Sequence, residues 1–362
     1  MPDQTPYYVG LTKVPGIGPV RMRKLLERFG NAEAAWHATL GDLMAVGLEA
    51  KVSEAVVQAR RTVNLDREME RLDSAGVRAL TWADLDYPER LREVDDSPPV
   101  LYVLGDFAPS DSWAVGVVGT RRTTSYGREV TARLAAELAE GGVTVVSGLA
   151  RGIDTEAHRS SLDAGGRTIA VLGSGLDVLY PQENRGLVQR IVTEGRGAVV
   201  SEYALGTQPD AINFPPRNRI ISGLSLGVLV VEAGERSGAL ITVKFALEQG
   251  RDVFAVPGPI TSRMSDGPNN LLKQGAKCVT SARDILEELN MQMVTEHVEA
   301  VRSLPADPTE RMLLEYLQEN TQHIDDLTNR SGLPASTVSA VLTMMELKGM
   351  VRHIGGMQYA AR

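Results

Sequence analysis

Between Trp113 and Asn290, short apolar runs rich in β-branched residues alternate with longer stretches of helical periodicity. That alternation is the pattern of a parallel sheet with helices on its faces. It predicts strands at 114–118, 143–146, 168–171, 198–200, 227–231, 252–256 and 277–279, and helices at 126–140, 155–164, 182–194, 239–249 and 281–289. Residues 1–80 have another rhythm, short helical segments broken by glycine with no strand-like alternation. Residues 81–111, with Pro98-Pro99, read as the approach to the sheet. The periodicity fades over 291–308, where Pro305 and Pro308 bracket an acidic spacer. Three helical segments follow, at 310–318, 324–331 and 335–348. Two short β runs, at 350–354 and 357–360, then flank Gly355-Gly356. Three helices and a ribbon predict a winged helix, with Pro334 opening the recognition-helix position. The expected organisation is a helical domain over 1–80, an α/β domain over 81–290 with a doubly wound, mostly parallel sheet, a linker over 291–308, and a winged helix over 309–362.

A length of 362 residues agrees with two to three domains at about 150 residues each. No run reaches the roughly 18 apolar residues of a membrane span. The first ten residues lack a basic stretch followed by an apolar one, so nothing marks the chain for export and a cytoplasmic protein is expected. A single cysteine, Cys278, excludes an internal disulfide and a multi-cysteine zinc site, and there are five histidines. Neither a metal nor a cofactor is expected.

The net charge of −8 argues against a generally basic nucleic-acid binder, but the charge is unevenly placed. It is +1 over 1–80, −7 over 81–304 and −2 over 305–362. Two short stretches are basic. Residues 11–30 carry Lys13, Arg21, Arg23, Lys24 and Arg28 against Glu27, and residues 117–133 carry Arg121, Arg122, Arg128 and Arg133 against Glu129. A polyanion would bind there, or at Arg217 and Arg219.

The first basic stretch includes Leu11-Thr-Lys-Val-Pro-Gly-Ile-Gly-Pro-Val-Arg21 followed by a helical segment and Gly30. It looks like a helix-hairpin-helix, with a degenerate second copy around Gly47 and Lys51. Gly16 and Gly18 permit a tight hairpin whose N–H groups face a phosphate, flanked by Arg21, Arg23 and Lys24. A small helical bundle that uses glycine only to turn explains the same residues, and both readings stay open.

The second stretch follows the first strand of the α/β region, in Gly119-Thr-Arg-Arg-Thr-Thr-Ser-Tyr-Gly127. Ligands of open α/β sheets bind beyond the carboxyl ends of the strands, where helix N-termini attract phosphate. The loop suits a phosphate but matches neither nucleotide-binding glycine fingerprint. Gly173-Ser174-Gly175 comes nearer, with Val178 where a third glycine belongs, so a tightly held dinucleotide is disfavoured. Asp154 and His158, at i and i+4, have a metal-ligating spacing, although Asp154 reads more naturally as a helix cap. Glu202 and Glu232 are the argument for an enzyme, as an acid–base pair.

Gly119-Thr120-Arg121, the run from Ser147 to Asp154 with His158, Tyr180-Pro-Gln-Glu-Asn184, Phe214-Pro-Pro-Arg-Asn-Arg219, Glu232 with Ser237-Gly238, and Pro257-Gly258 together resemble the DNA-processing protein A family, DprA or Smf. The resemblance spans about residues 80–290 in order, and the flanking domains resemble known family variants. It implies a Rossmann-like core and a non-catalytic mediator that binds single-stranded DNA. Such a mediator protects incoming DNA and loads a RecA-type recombinase during natural transformation, as a homodimer formed through the Rossmann-like domain. It also implies that Gly119, Thr120 and Arg121 hold a DNA phosphate and that Phe214 stacks on a base. Arg122, Arg217, Asn218, Arg219, Ser237 and Lys244 complete the expected DNA-binding set. The family loop usually has serine where this chain has Thr120, which keeps the hydroxyl.

An arginine beside an exposed aromatic also fits sequence-tolerant single-strand binding on physical grounds, because every base has a π-face. Pro215-Pro216 are expected to keep Phe214 out of regular structure, although a buried Phe214 is the competing reading. Two rival functions remain. A more distant resemblance is to Rossmann-like nucleotide hydrolases of the lysine-decarboxylase-like class, whose Pro-Gly-Gly-x-Gly-Thr signature is replaced here by Ala233-Gly-Glu-Arg-Ser-Gly238. The other rival is a winged-helix transcriptional regulator. It is weakened by a recognition-helix stretch whose one basic residue, Lys348, is offset by Glu346.

Overall fold

The computed structural model describes residues 3–289, 308–319, 321–347 and 351–361. Seven short strands lie side by side and in parallel where the sequence predicts them: β3 (Ala114–Val118), β4 (Thr144–Ser147), β5 (Thr168–Leu172), β6 (Gly197–Ser201), β7 (Gly227–Val230), β8 (Asp252–Ala255) and β9 (Lys277–Cys278). Two more strands, β1 (Arg78–Thr81) and β2 (Val100–Gly105), come from the segment expected only to lead into the sheet. They pair with each other and β2 pairs with β6, all antiparallel. The nine-stranded order is β1-β2-β6-β5-β4-β3-β7-β8-β9. Successive strands step one way from β3 through β4 and β5, then the other way from β3 through β7, so the strand order reverses between β3 and β7. A crevice opens beyond the carboxyl ends of strands at such a point.

The N-terminal region forms α1 (Thr5–Thr12), α2 (Pro19–Phe29), α3 (Ala32–His37), α4 (Leu40–Ala45), α5 (Ala50–Thr62) and α6 (Leu65–Ser74). Pro19 opens α2 at its first position, and Gly30 closes it at φ +83°. These helices do not keep a core to themselves. Leu11, Met22, Leu25 and Leu43 belong to one buried cluster with Tyr102, Leu172 and Val199 of the sheet. The chain accordingly divides into two compact units, Met1–Leu289 and Asn290–Arg362, with the helices expected as a separate 1–80 domain inside the first.

After the short α7 (Glu89–Arg92), the crossover helices are α8 (Ser125–Glu140), α9 (Ile153–Asp163), α10 (Arg185–Thr193), α11 (Phe214–Gly223), α12 (Ala239–Glu248) and α13 (Asp266–Lys273), and α14 (Ala282–Glu288) follows the last strand. Of these, α11 and α13 differ from expectation. Pro215 and Pro216 occupy the first turn of α11, where a missing N–H breaks no intrahelical bond, so they begin a helix instead of preventing one.

The second unit holds α15 (Pro308–Glu319), β10 (Gln322–His323), α16 (Ile324–Ser331), α17 (Ala335–Leu347), β11 (Val351–Gly355) and β12 (Gln358–Ala361). Its sheet order is β10-β12-β11, the ribbon of a winged helix. Leu342 and Met345 are buried in its core with Leu313, Leu317 and Val338, while Met344 is exposed. The expected linker lies outside the described residues except for Pro308, and so does Lys348. Among the described residues no helix is long and apolar enough to cross a membrane.

Candidate nucleic-acid interface

The loop after β3 enters the crevice under tight constraint. A Cβ on Gly119 would come within 2.5 Å of the Ile153 side chain and 2.8 Å of the Glu232 carbonyl. The Thr120 N–H donates to that carbonyl at 2.7 Å, and the Ile153 N–H donates to the Thr120 carbonyl at 3.2 Å. The loop is thereby fastened to both β7 and α9. The Thr120 hydroxyl accepts from the Arg122 N–H at 3.1 Å, and the Arg121 side chain stands exposed at the mouth of a cleft of about 710 Å³. Tyr180, Phe214, Asn218, Ser237 and Thr242 also line this cleft.

Phe214 begins α11 and is half-buried. Its ring packs over Gly173, where a Cβ would approach within 2.9 Å, and the Arg121 guanidinium lies 5.3 Å from the ring centroid. Asn218 donates to the Gly238 carbonyl at 3.4 Å, and the Ser237 hydroxyl accepts from the Ala239 N–H at 3.3 Å. Arg122 and Lys244 are exposed but do not line the cleft, and Lys244 lies 3.6 Å from Glu248.

The other two arginines depart from the expected role of phosphate contacts. Arg217 is 3% exposed and donates to the carbonyls of Gly148, at 2.7 Å, and Val171. Its guanidinium and the Asp154 carboxylate enclose Gly148 so closely that a Cβ there would lie 2.7 Å from the first and 2.8 Å from the second. Burial lowers the Arg217 pKa to about 10 and raises that of Asp154 to about 6, with Arg217 opposing the latter shift. Arg219 is turned inward, with both terminal nitrogens on Glu202 at 2.8 and 2.7 Å and Nε 3.2 Å from Asp96. Arg217 still borders the cleft, with its guanidinium 5.9 Å from the Phe214 ring centroid, whereas Arg219, on another side of the helix, is directed into the interior.

Asp154 is also not the expected cap. It lies inside the first turn of α9 and accepts from the Gly148 and Ala150 N–H groups at 3.2 and 3.3 Å. His158 is fully buried with Nδ1 2.6 Å from the Thr168 hydroxyl, and burial lowers its pKa to about 3. No cluster of metal-ligating side chains exists among the described residues. The two glutamates do not converge on the cleft either. Glu202 is held by Arg219, and Glu232 accepts from the backbone N–H of Thr124 at 3.0 Å and from its hydroxyl. A native carboxylate therefore fills the N-terminus of α8, the place where a nucleotide phosphate binds in dinucleotide folds.

Three of the five cations around the hairpin near Gly16 have partners within the protein. Gly16 has φ +94°, and Arg21 donates to its carbonyl at 2.7 Å while pairing with Glu49. Arg23 donates to the Val94 carbonyl at 3.0 Å and covers Trp82, and Lys13 pairs with Glu68 at 2.6 Å. Lys24 and Arg28 are exposed.

Tyr180 is a cleft residue to which the sequence reading gave no role. The available signal was an aromatic side chain in a polar, proline-containing loop beyond a strand end.

Comparison with known proteins places this cleft in context. Residues 78–290 match the family described as DNA recombination-mediator protein A, and residues 299–357 match the DprA winged helix domain. The protein Smf of Synechocystis is 36% identical, the alignment covering 98% of each chain. The DNA processing protein DprA of Bacillus subtilis is 43% identical over 62% of this chain and 75% of its own. The X-ray structure of DprA from Streptococcus pneumoniae superposes with a TM-score of 0.69 at 38% identity, covering 78% of this chain and 98% of that one. A Helicobacter pylori DprA structure, described as showing a single-stranded DNA binding mode, gives a TM-score of 0.53 at 31% identity over 59% of this chain and 96% of its own. With the sheet, the cleft motifs and the winged helix all matched, the chain belongs to the DNA recombination-mediator protein A family, known as DprA or Smf.

Proposed function

We propose that this protein binds single-stranded DNA in the cleft, protects incoming DNA during natural transformation and loads a RecA-type recombinase onto it. The observation that carries the reading is the exposed Arg121 guanidinium over the half-buried Phe214 ring at the cleft mouth. A cation and a π-face at one rim take a phosphate and a base together without selecting sequence. Family membership and the single-strand binding described for the Helicobacter pylori protein support it. The Rossmann-like unit acts without catalysis, because Glu202 and Glu232 are each committed to structural bonds. It forms a homodimer through that unit and works in the cytoplasm. The winged helix does not read duplex DNA, since α17 contains no lysine or arginine to neutralise phosphates.

Anisotropy titrations of the full chain with labelled oligothymidylate and duplex should show a clear preference for the single strand. A strand-exchange assay with a RecA-type recombinase, on DNA coated with a single-strand-binding protein, should then show faster initiation. Equal affinity for duplex, or turnover of a nucleoside monophosphate, would overturn the reading.

A further inference from the structure

Phe214 is not the only aromatic side chain at the cleft. Trp113, Tyr126 and Tyr180 are 40, 39 and 36% exposed, and of these three only Tyr180 lines it. Its ring centroid lies 5.7 Å from that of Phe214, with the planes inclined at 47°. Tyr180 has Arg151 at 5.9 Å from its ring centroid, while Phe214 has the exposed Arg121 at 5.3 Å and the buried Arg217 at 5.9 Å. A shallow depression between them is lined by Arg121, Arg151, Tyr180, Pro181 and Phe214. The rings are too close to sandwich a base, which needs roughly 6.8 Å, twice the base spacing of a stacked strand. They are also too inclined to form one platform, so each presents a separate face.

We propose that Tyr180 and Arg151 form a second nucleotide subsite beside Phe214, on which the adjacent base of the single strand stacks while its phosphate engages Arg151. The proposal rests on the reading of the cleft as a single-strand site. The backbone of the Arg151 loop is fixed beforehand. Asn184 donates to the Leu149 carbonyl at 2.9 Å, and Asp154 accepts from the N–H groups of Gly148 and Ala150. Only the side chain has to respond. Arg151 pairs with Glu183 through Nε, and through Nη2 at 3.2 Å, with both side chains 54% exposed. An ion pair this exposed contributes little, so a DNA phosphate replaces the carboxylate as the partner of the guanidinium.

Anisotropy titrations of the full chain against oligothymidylates of increasing length test the subsite. Phe214→Ala should weaken binding at every length. Tyr180→Ala should leave the shortest bound oligonucleotide unaffected and weaken longer ones about tenfold, and Tyr180→Phe should restore them, because the face and not the hydroxyl is used. Glu183→Gln should tighten the longer oligonucleotides by releasing Arg151. The subsite is overturned if Tyr180→Ala binds long oligonucleotides as the parent does while Phe214→Ala loses affinity. It is equally overturned if Tyr180→Ala loses affinity at all lengths, which would make Tyr180 a mere support for Phe214. If Arg121→Ala and Phe214→Ala also bind normally, the single-strand reading of the cleft fails as well.

Discussion

The three arginines Arg121, Arg217 and Arg219 differ in what their surroundings let them do. Arg121 is exposed, so Arg121→Ala should weaken single-strand binding, flatten the salt dependence by roughly one counterion and leave stability intact. Phe214→Ala should cost about 1–3 kcal/mol of binding with little change in melting temperature. Arg219 is the contrasting case. Arg219→Ala leaves the partly buried Glu202 without its partner and should cost about 1–3 kcal/mol of folding stability, with affinity kept below the melting transition. A stable Arg219→Ala variant with reduced affinity and salt slope would return that residue to the DNA site. The buried pair Asp154 and His158 makes stability depend on pH in opposite senses. Asp154, raised to about 6, contributes stability that is complete below about pH 4 and lost as the pH rises to about 6. His158, lowered to about 3, contributes stability that is complete above about pH 6.5 and lost as the pH falls to about 3. Between about pH 4 and 6 the two slopes cancel. Asp154→Asn removes the falling one, so relative to the parent its stability should climb by up to about 1.4 kcal/mol per pH unit over that interval. Urea denaturation at the two ends of the interval measures this, and parallel profiles would show that Asp154 is ionised throughout.

Elements were legible where one physical signal dominated. The parallel strands β3 to β7 are short apolar runs buried along their length, and β3 begins and ends at the residues its apolar run indicates. Elements were missed where a local signal was read without its position. Pro98-Pro99 masked β2, although the following Val100-Leu-Tyr-Val-Leu104 is as apolar as any strand in the sheet. Pro215-Pro216 suggested irregular backbone, because nothing local distinguishes a proline in a first turn from one in a helix interior. The site followed the same rule. The loop glycines and Phe214 were found from motif order, whereas the inward turn of Arg217 and Arg219 depends on which carbonyls and carboxylates the tertiary fold brings to α11. Gly148 shows how tightly that fold is fitted at the loop between β4 and α9. Gly148→Ala places a methyl group against both Arg217 and Asp154 and should cost about 1–3 kcal/mol of stability, with loss of single-strand affinity as the loop shifts. Gly186→Ala, in α10 with nothing within 4 Å of the new Cβ, is the matched control and should stabilise by up to about 1 kcal/mol. If the two variants have equal stability, the enclosure of Gly148 is not a constraint in solution.

At the scale of the whole molecule, the residues that line the cleft belong to one unit. Arg121, Tyr180, Phe214 and Ser237 belong to Met1–Leu289, as do the N-terminal helices that share a hydrophobic cluster with β2 and β5. The second unit has its own core around Leu313, Leu327 and Leu342, a net charge of −2 over 305–362, and a recognition-position helix with no lysine or arginine over its described residues, Ala335–Leu347. Deleting residues 290–362 should therefore leave the melting transition of the remaining chain and its affinity for oligothymidylate close to those of the full protein, with the same salt slope. Sedimentation of both proteins must accompany the titration, since a change in subunit number alters affinity by avidity without any change in the cleft. With oligomeric state held equal, a large loss of affinity and a shallower salt slope would place phosphate contacts in the winged helix. Retained affinity with slower recombinase loading would instead assign that unit to the protein partner, consistent with the exposed Met344 on a helix that carries no lysine or arginine.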